Sequence, residues 1–378
     1  MAPVSRMGPR LFELSHAQLL EIAAAGCEAS ADVKNRADAI LAAHKPLPQW
    51  AVEGVLLSSD LVPHLLAPLQ LTDGAVAAVC SRWADSWKAT SEGRRRLTRV
   101  AFDFPRDLLF DVLGTFGSFC LIPGGDELIV RSGSTVRVLA RDMAILSSFE
   151  LPAIDGNIAV SEQFFYVTDS DGEVRSLTHD GTEVASYEDP EKMILCPIPA
   201  PGDILFCILS DLDDNALDEI VAFDAQTLQP RYRFGLSMLK HASGLVLVGE
   251  ELFLCDCDND RLQVFSLAGE HRRSITGDWK RPIALCFVKD RLYLVEEADD
   301  DEDEEGELIN PLLGRRIFVL SMQGDSLQIF TNPIEAELGP TFGGGALTFW
   351  DVCYFDGKLL ATIRNDGEYC GVLALRGC

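Results

Sequence analysis

The chain has 378 residues, 47% of them apolar, and a formal net charge of −27. That length exceeds one small core and implies two or more units, and the apolar fraction excludes a disordered chain. The charge has the wrong sign for a phosphate backbone or an anionic lipid surface, so neither nucleic acid nor membrane is expected as a partner.

The first 50 residues read as a helical segment. Ser15-His16-Ala17-Gln18 forms a capping box, with Leu14 and Leu19 at the staple positions. A second helix from about Ser30 ends before Lys45-Pro46, since the residue ahead of proline avoids helical geometry. Residues 51–96 read as a second helical module. It holds a short apolar helix over 60–67, with Pro63 tolerated in its first turn. A longer helix follows, capped by Thr72, which places Val76, Val79, Cys80, Trp83 and Trp87 on one face. Arg94-Arg95-Arg96 closes the module.

From 97 to 378 the pattern changes to short β-rich runs between Gly, Asp and Asn turns. A strand tail recurs at 136–139, 174–177, 220–223, 262–265, 317–320 and 372–375. Three of these continue alike, into Thr178-His179-Asp180-Gly181, Ser266-Leu267-Ala268-Gly269 and Ser321-Met322-Gln323-Gly324. Another apolar strand precedes most of the tails. A recurrence of roughly 38 to 55 residues fits four-stranded propeller blades, about six of them. The last blade has only three strands before the chain stops, so a strand between Leu97 and Leu113 is expected to complete it and close the ring. A sandwich of equal strand count is the alternative.

The 11 cysteines are odd in number and scattered without paired spacing. No basic-then-apolar leader opens the chain and no apolar run is long enough to span a bilayer, so a reducing compartment, cytoplasm or nucleus, is expected. Cys255 and Cys257 stand two apart in a strand-like run, on one face if the strand continues. With no partner pair at ligand spacing they read as small buried residues.

Two resemblances follow from these residues. Ser243-Gly244, then Glu251 to Asp256 and Asn259-Asp260-Arg261-Leu262-Gln263-Val264-Phe265, resembles an NHL repeat; one blade matches well and the others loosely. The segment 57–83 resembles an F-box, through Leu57, Asp60, Leu61, Val62, Leu65, Leu66 and Leu69 and the tail Val79-Cys80-Ser81-Arg82-Trp83. Ser58 stands where that pattern has proline, and the connection from Leu69 to Val79 is about one residue short. The fold expected is thus α+β and multidomain: an F-box-like helical module followed by an all-β, six-bladed, NHL-like propeller. The F-box resemblance implies that those residues dock on a Skp-type adaptor, and that the propeller holds a protein target for a cullin-type ubiquitin ligase. The same apolar helical face equally suits packing inside this molecule.

Asp211, Asp213, Asn215 and Glu219 fall at positions one, three, five and nine of a loop that resembles the calcium loops of FG-GAP propellers. Ala216 replaces the glycine of the sharp turn, and an acidic solvated hairpin is the alternative. The run 299–305 is almost wholly acidic and reads as a solvated loop. In the propeller region the histidines are His179, His241 and His271, and no Ser-His-Asp, HExxH or phosphate-loop pattern appears. Gly343-Gly344-Gly345 precedes a strand, not a helix. The expectation is a non-enzyme with no cofactor other than a possible calcium ion. The rivals are an interaction scaffold without a ligase role and a metal-dependent propeller hydrolase or lyase.

Overall fold

Apolar runs without alternation, such as 317–320 and 372–375, are the pattern of strands covered on both faces. The computed structural model describes residues 61–66, 81–89, 95–101, 119–121, 126–132, 134–151, 156–169, 172–211, 217–297, 313–332, 347–365 and 368–377. The chain divides into two compact units, Met1–Arg96 with Gly377 and Leu97–Arg376. The helices expected over 1–50 lie outside the described residues. In the first unit α1 (Leu61–Leu66) and α2 (Ser81–Ala89) pack on each other.

The second unit is a six-bladed propeller. Among the described residues its strands form six four-stranded antiparallel sheets. Blade 1 runs from β2 (Phe119–Leu121) through β3 (Glu127–Ser132) and β4 (Thr135–Ala140) to β5 (Ile145–Glu150). Blade 2 holds β6 (Ile158–Val160), β7 (Phe165–Thr168), β8 (Glu173–Leu177) and β9 (Glu183–Glu188). Blade 3 holds β10 (Lys192–Ala200), β11 (Ile204–Asp211), β12 (Asp218–Asp224) and β13 (Pro230–Leu239). Blade 4 is β14 (Ala242–Val248), β15 (Glu251–Asp256), β16 (Arg261–Ser266) and β17 (His271–Thr276). Blade 5 is β18 (Pro282–Val288), β19 (Arg291–Glu296), β20 (Arg316–Ser321) and β21 (Ser326–Thr331). Blade 6 takes β22 (Leu347–Phe355), β23 (Lys358–Asn365) and β24 (Glu368–Arg376) from the C-terminal end and its outer strand, β1 (Thr98–Val100), from the start of the unit. The first strands β2, β6, β10, β14, β18 and β22 contact one another in a closed circuit, which makes them the inner wall.

The recurring tails read in the sequence are the third strand of every blade, and the apolar strands ahead of them are the second. Their alternate residues serve two interfaces. Leu292 and Leu294 pack toward blade 4 with Phe253, Leu262 and Val264, while Tyr293 and Val295 pack toward blade 6 with Leu359, Ala361 and Leu373. A single blade exposes both faces, and stacking covers them. Outer strands carry the alternation of a half-wet surface or lie open: β9 is exposed at Glu183, Val184, Ser186 and Glu188.

The three similar turns are one device repeated. Gly181, Gly269 and Gly324 have φ of 85°, 82° and 94°, and each N–H donates to the carbonyl of the Thr or Ser three residues earlier. Thr178 Oγ1, Ser266 Oγ and Ser321 Oγ accept from the backbone N–H four residues on, at 3.1, 3.1 and 3.0 Å. Each glycine also lies against an outer-strand side chain of the preceding blade, Phe149, Phe234 and Ile275 respectively.

A second lock ties the first and second strands of a blade together. A polar side chain at the end of the second strand accepts the backbone N–H that opens the first. Thr168 Oγ1 takes Asn157 N (3.1 Å), Asp256 Oδ1 takes Lys240 N (2.9 Å) and Glu296 Oε1 takes Lys280 N (2.7 Å); in blade 6 the bond from Asp351 N to Thr362 Oγ1 (2.9 Å) lies mid-strand, at the register shift of β22. Asp256 also accepts from Asn259 Nδ2 (2.8 Å), Arg261 Nε (2.7 Å) and Gln263 Nε2 (3.2 Å). The Asp-x-x-Asn-x-Arg spacing that carries the NHL resemblance is therefore a fold-holding network.

Candidate functional site

The topology sorts the connections onto two faces. Links from first to second and from third to fourth strands are short hairpins, such as 249–250, 289–290, 267–270 and 322–325. Links from second to third strands, and from one blade to the next, leave on the other face. That face receives the acidic segment 212–217 between β11 and β12, and the acidic segment 297–315 between β19 and β20. Much of both lies outside the described residues, but their ends fix the face they leave from.

Several described carboxylates on this face are held in place by cations. Glu219 is buried, and its Oε1 sits 3.2 Å from Lys192 Nζ and 3.1 Å from Arg233 Nη1; Arg233 Nη2 reaches Asp189 Oδ2 at 3.3 Å. Arg175 pairs with Glu173, whose carboxyl it holds below the ordinary value, and lies 3.7 Å from Asp169. Glu296 accepts from Arg316 Nε at 2.8 Å, yet burial pushes its carboxyl above the ordinary value.

The densest cluster lies where blades 4 and 5 meet. β15 ends at Asp256, and a 3-10 turn, Cys257–Asn259, leads to Asp260 in the left-handed region at φ 53°. The pairing Ala242↔Asp256, extended by one residue, sets His241 opposite Cys257. In blade 5 the pairing Pro282↔Glu296 sets Arg281 opposite Glu297 in the same way. Two backbone bonds fix these positions, from Asp258 N to Lys240 O (3.3 Å) and from Glu297 N to Arg281 O (2.8 Å). His241 Nδ1 is 3.6 Å from Asp258 Oδ1, Lys240 Nζ is 3.2 Å from Asp258 Oδ2, and Cys257 Sγ donates to Glu297 Oε2 at 3.7 Å. Arg281 Nε holds the same Glu297 oxygen at 2.8 Å. Asp260 stitches the blades together by accepting from Arg281 N (2.9 Å) and Lys280 Nζ (2.8 Å). Cys257 is buried, and that burial, reinforced by Glu297, pushes its thiol up.

Of the expected calcium ligands, Asp213 and Asn215 lie outside the described residues, Asp211 closes β11, and Glu219 carries two cations. Cys255 and Cys257 are both buried, as the sequence suggested, but they do not share a strand face. The strand stops at Asp256, whose four acceptor contacts draw the chain into the turn, so alternation ends between them. His241, Asp258 and Glu297 were not singled out as site residues by the sequence. The sixteen-residue step from His241 to Cys257 spans a hairpin, and only the strand register brings the two together.

Of the expected adaptor-docking residues, Leu57, Asp60, Leu69, Val79 and Cys80 lie outside the described residues. Leu61 and Leu65 belong to α1. Val62 and Leu66 are fully buried, and Trp83 in α2 is half-buried.

No protein-family model matches the chain, and no curated protein matches it in sequence. Solved structures do match in fold. A luciferin-regenerating enzyme aligns at TM-score 0.50 and 12% identity, over 74% of this chain and 95% of that one. A streptogramin B lyase aligns at TM-score 0.47 and 13% identity, over 74% and 87%. The WD40 propeller domain of Doa1 aligns at TM-score 0.47 and 11% identity, over 70% and 78%. The first of these likenesses supports the propeller fold and nothing finer. A propeller fold by itself does not fix a function. Among the described residues no helix is long and apolar enough to cross a membrane.

Proposed function

We propose that the chain is a non-catalytic target receptor of a cullin-type ubiquitin ligase. Segment 57–83 grips a Skp-type adaptor, and the carboxylate-rich face of the propeller holds a protein target of basic character. The observation that carries the target half is the one-sidedness of the propeller. One face is closed by short hairpins, while the other gathers the longer, acidic connections on a rigid rim, where recognition loops belong. The adaptor half rests on the Leu57–Trp83 pattern and on α1 and α2, which form within it. With Val62 and Leu66 enclosed, the docking ridge falls to Leu57, Asp60, Leu61, Leu65, Leu69, Val79, Cys80 and Trp83. Such a receptor does no chemistry; it supplies proximity.

The test is capture of purified Skp-type adaptor by the full chain. Wild type binds it, and Leu65→Asp with Trp83→Ala abolishes binding while the β-sheet circular dichroism and the melting curve stay unchanged. Wild type that never captures the adaptor removes the ligase half and leaves an interaction scaffold. Target capture that does not weaken with added salt, or with neutral substitutions over 299–305, removes the acidic face as the recognition surface.

A further inference from the structure

The cluster at the junction of blades 4 and 5 has a composition that the receptor role does not use. His241 nitrogen, Cys257 sulfur and an Asp258 carboxylate oxygen all lie within 4.8 Å of one another. Glu297 brings a second carboxylate to the same sulfur, at 3.7 Å. Imidazole, thiol and carboxylate together are the donor set of a borderline divalent ion, and three such donors with a water in the fourth position suit a tetrahedral site. Calcium or magnesium would call for an all-oxygen shell.

We infer that His241, Cys257 and Asp258 form a binding site for a divalent ion of the zinc class at the end of β15 in blade 4. The donors stand on fixed backbone: β15 ends just ahead of Cys257, and the two interstrand hydrogen bonds hold residues 240 with 258 and 281 with 297. The surroundings match a charged centre. Asp258 turns Oδ1 to His241 and Oδ2 to Lys240, so one oxygen is placed for the ion while the other is held by a cation. Arg281 instead holds Glu297 Oε2, the oxygen that faces the Cys257 sulfur, so Glu297 backs the thiol as an outer partner. Outer partners of this kind orient metal ligands and set their basicity. With the thiol ionised, the two anionic donors match an ion of charge two. Cysteine ligates as the thiolate, so binding forms a metal–sulfur bond and releases the thiol proton to buffer.

The experiment uses the full chain, free of any tag, titrated with cobalt(II) alone and then with zinc(II). Expected are one equivalent of cobalt, a thiolate-to-cobalt charge-transfer band, and displacement of the cobalt by zinc. Calorimetry in buffers of different ionisation enthalpy reads one proton released per ion. Cys257→Ser removes the band and weakens binding at least tenfold, and Cys286→Ser leaves both as they were. His241→Asn also weakens binding at least tenfold; His241 is exposed and sits at φ 50°, which asparagine tolerates, so this variant keeps its fold even if the serine variant does not. Wild type without stoichiometric uptake, or a band that survives Cys257→Ser, overturns the assignment.

Discussion

Asp256 is the residue on which blade 4 depends most. It is fully buried, and it accepts from one backbone N–H and three side chains drawn from both neighbouring strands and the turn. The carboxylate is affordable there only because its acceptor capacity is filled and Arg261 supplies the opposite charge. Removing one partner of such a pair costs more than the pair is worth, because the others are stranded. Asp256→Ala is therefore expected to lose about 3–5 kcal/mol of folding stability, read by urea denaturation. Asp256→Asn keeps the shape and part of the acceptor capacity and loses less. If the alanine variant unfolds at the wild-type urea midpoint, the network is ornamental.

At the scale of elements, the repeated Gly turn explains why blades stack in register. Gly324 is needed twice over: its φ of 94° suits glycine, and an added Cβ would sit 2.0 Å from Ile275 Cγ2 of blade 4. Gly202, in the β10–β11 turn, has φ of 83° but nothing within 4 Å of the same position. Gly202→Ala thus reports backbone strain alone, roughly 1–2 kcal/mol. Gly324→Ala adds overpacking and loses about 1–3 kcal/mol more, and the difference between the two melting curves isolates the inter-blade contact. Equal losses in the two variants would mean that the turn does not carry blade stacking.

This packing also explains which elements were legible in the sequence. Second and third strands are covered on both faces, so they read as apolar-rich runs, some interrupted by a polar residue such as Arg137 or Gln263, and all six third strands were visible as tails. Inner strands were not. β2 and β6 have three residues each, and β10, β14, β18 and β22 are broken by register shifts, for example between Ser243 and Leu245, which destroy periodicity. Outer strands carry exposed apolar residues, such as Leu236 in β13 and Leu327 in β21, and so lack a clean signal. The candidate metal centre was illegible for a different reason. Its donors, His241 and the pair Cys257 and Asp258, stand sixteen residues apart, and that spacing has meaning only once the register 242↔256 is known.

For the whole molecule the decisive event is closure. β1 pairs with β24 through Thr98↔Arg376, Arg99↔Leu375 and Val100↔Ala374, joining opposite ends of the propeller unit. So short a strand contributes little hydrogen bonding, yet it covers the Ala374–Arg376 part of the edge of β24, which would otherwise lie open. Its hold is reinforced at Leu97, which is buried with Val319, Phe349 and Leu375 in the core between blades 5 and 6 and donates its N–H to Gln328 Oε1 at 2.9 Å. Closure is thus a packing contact as much as a ladder, and because it links residues so far apart it is paid for late in folding. A chain beginning at residue 95 should keep the melting temperature of the propeller transition. One beginning at residue 102 should lose the buried leucine and the outer strand together, elute as aggregate in size-exclusion chromatography, and unfold over a broader range. Leu97→Asp in the full chain should reproduce much of that loss with β1 still present. If the chain from 102 instead stays monomeric and melts like the longer one, the ring is held by its inner wall alone and β1 is dispensable.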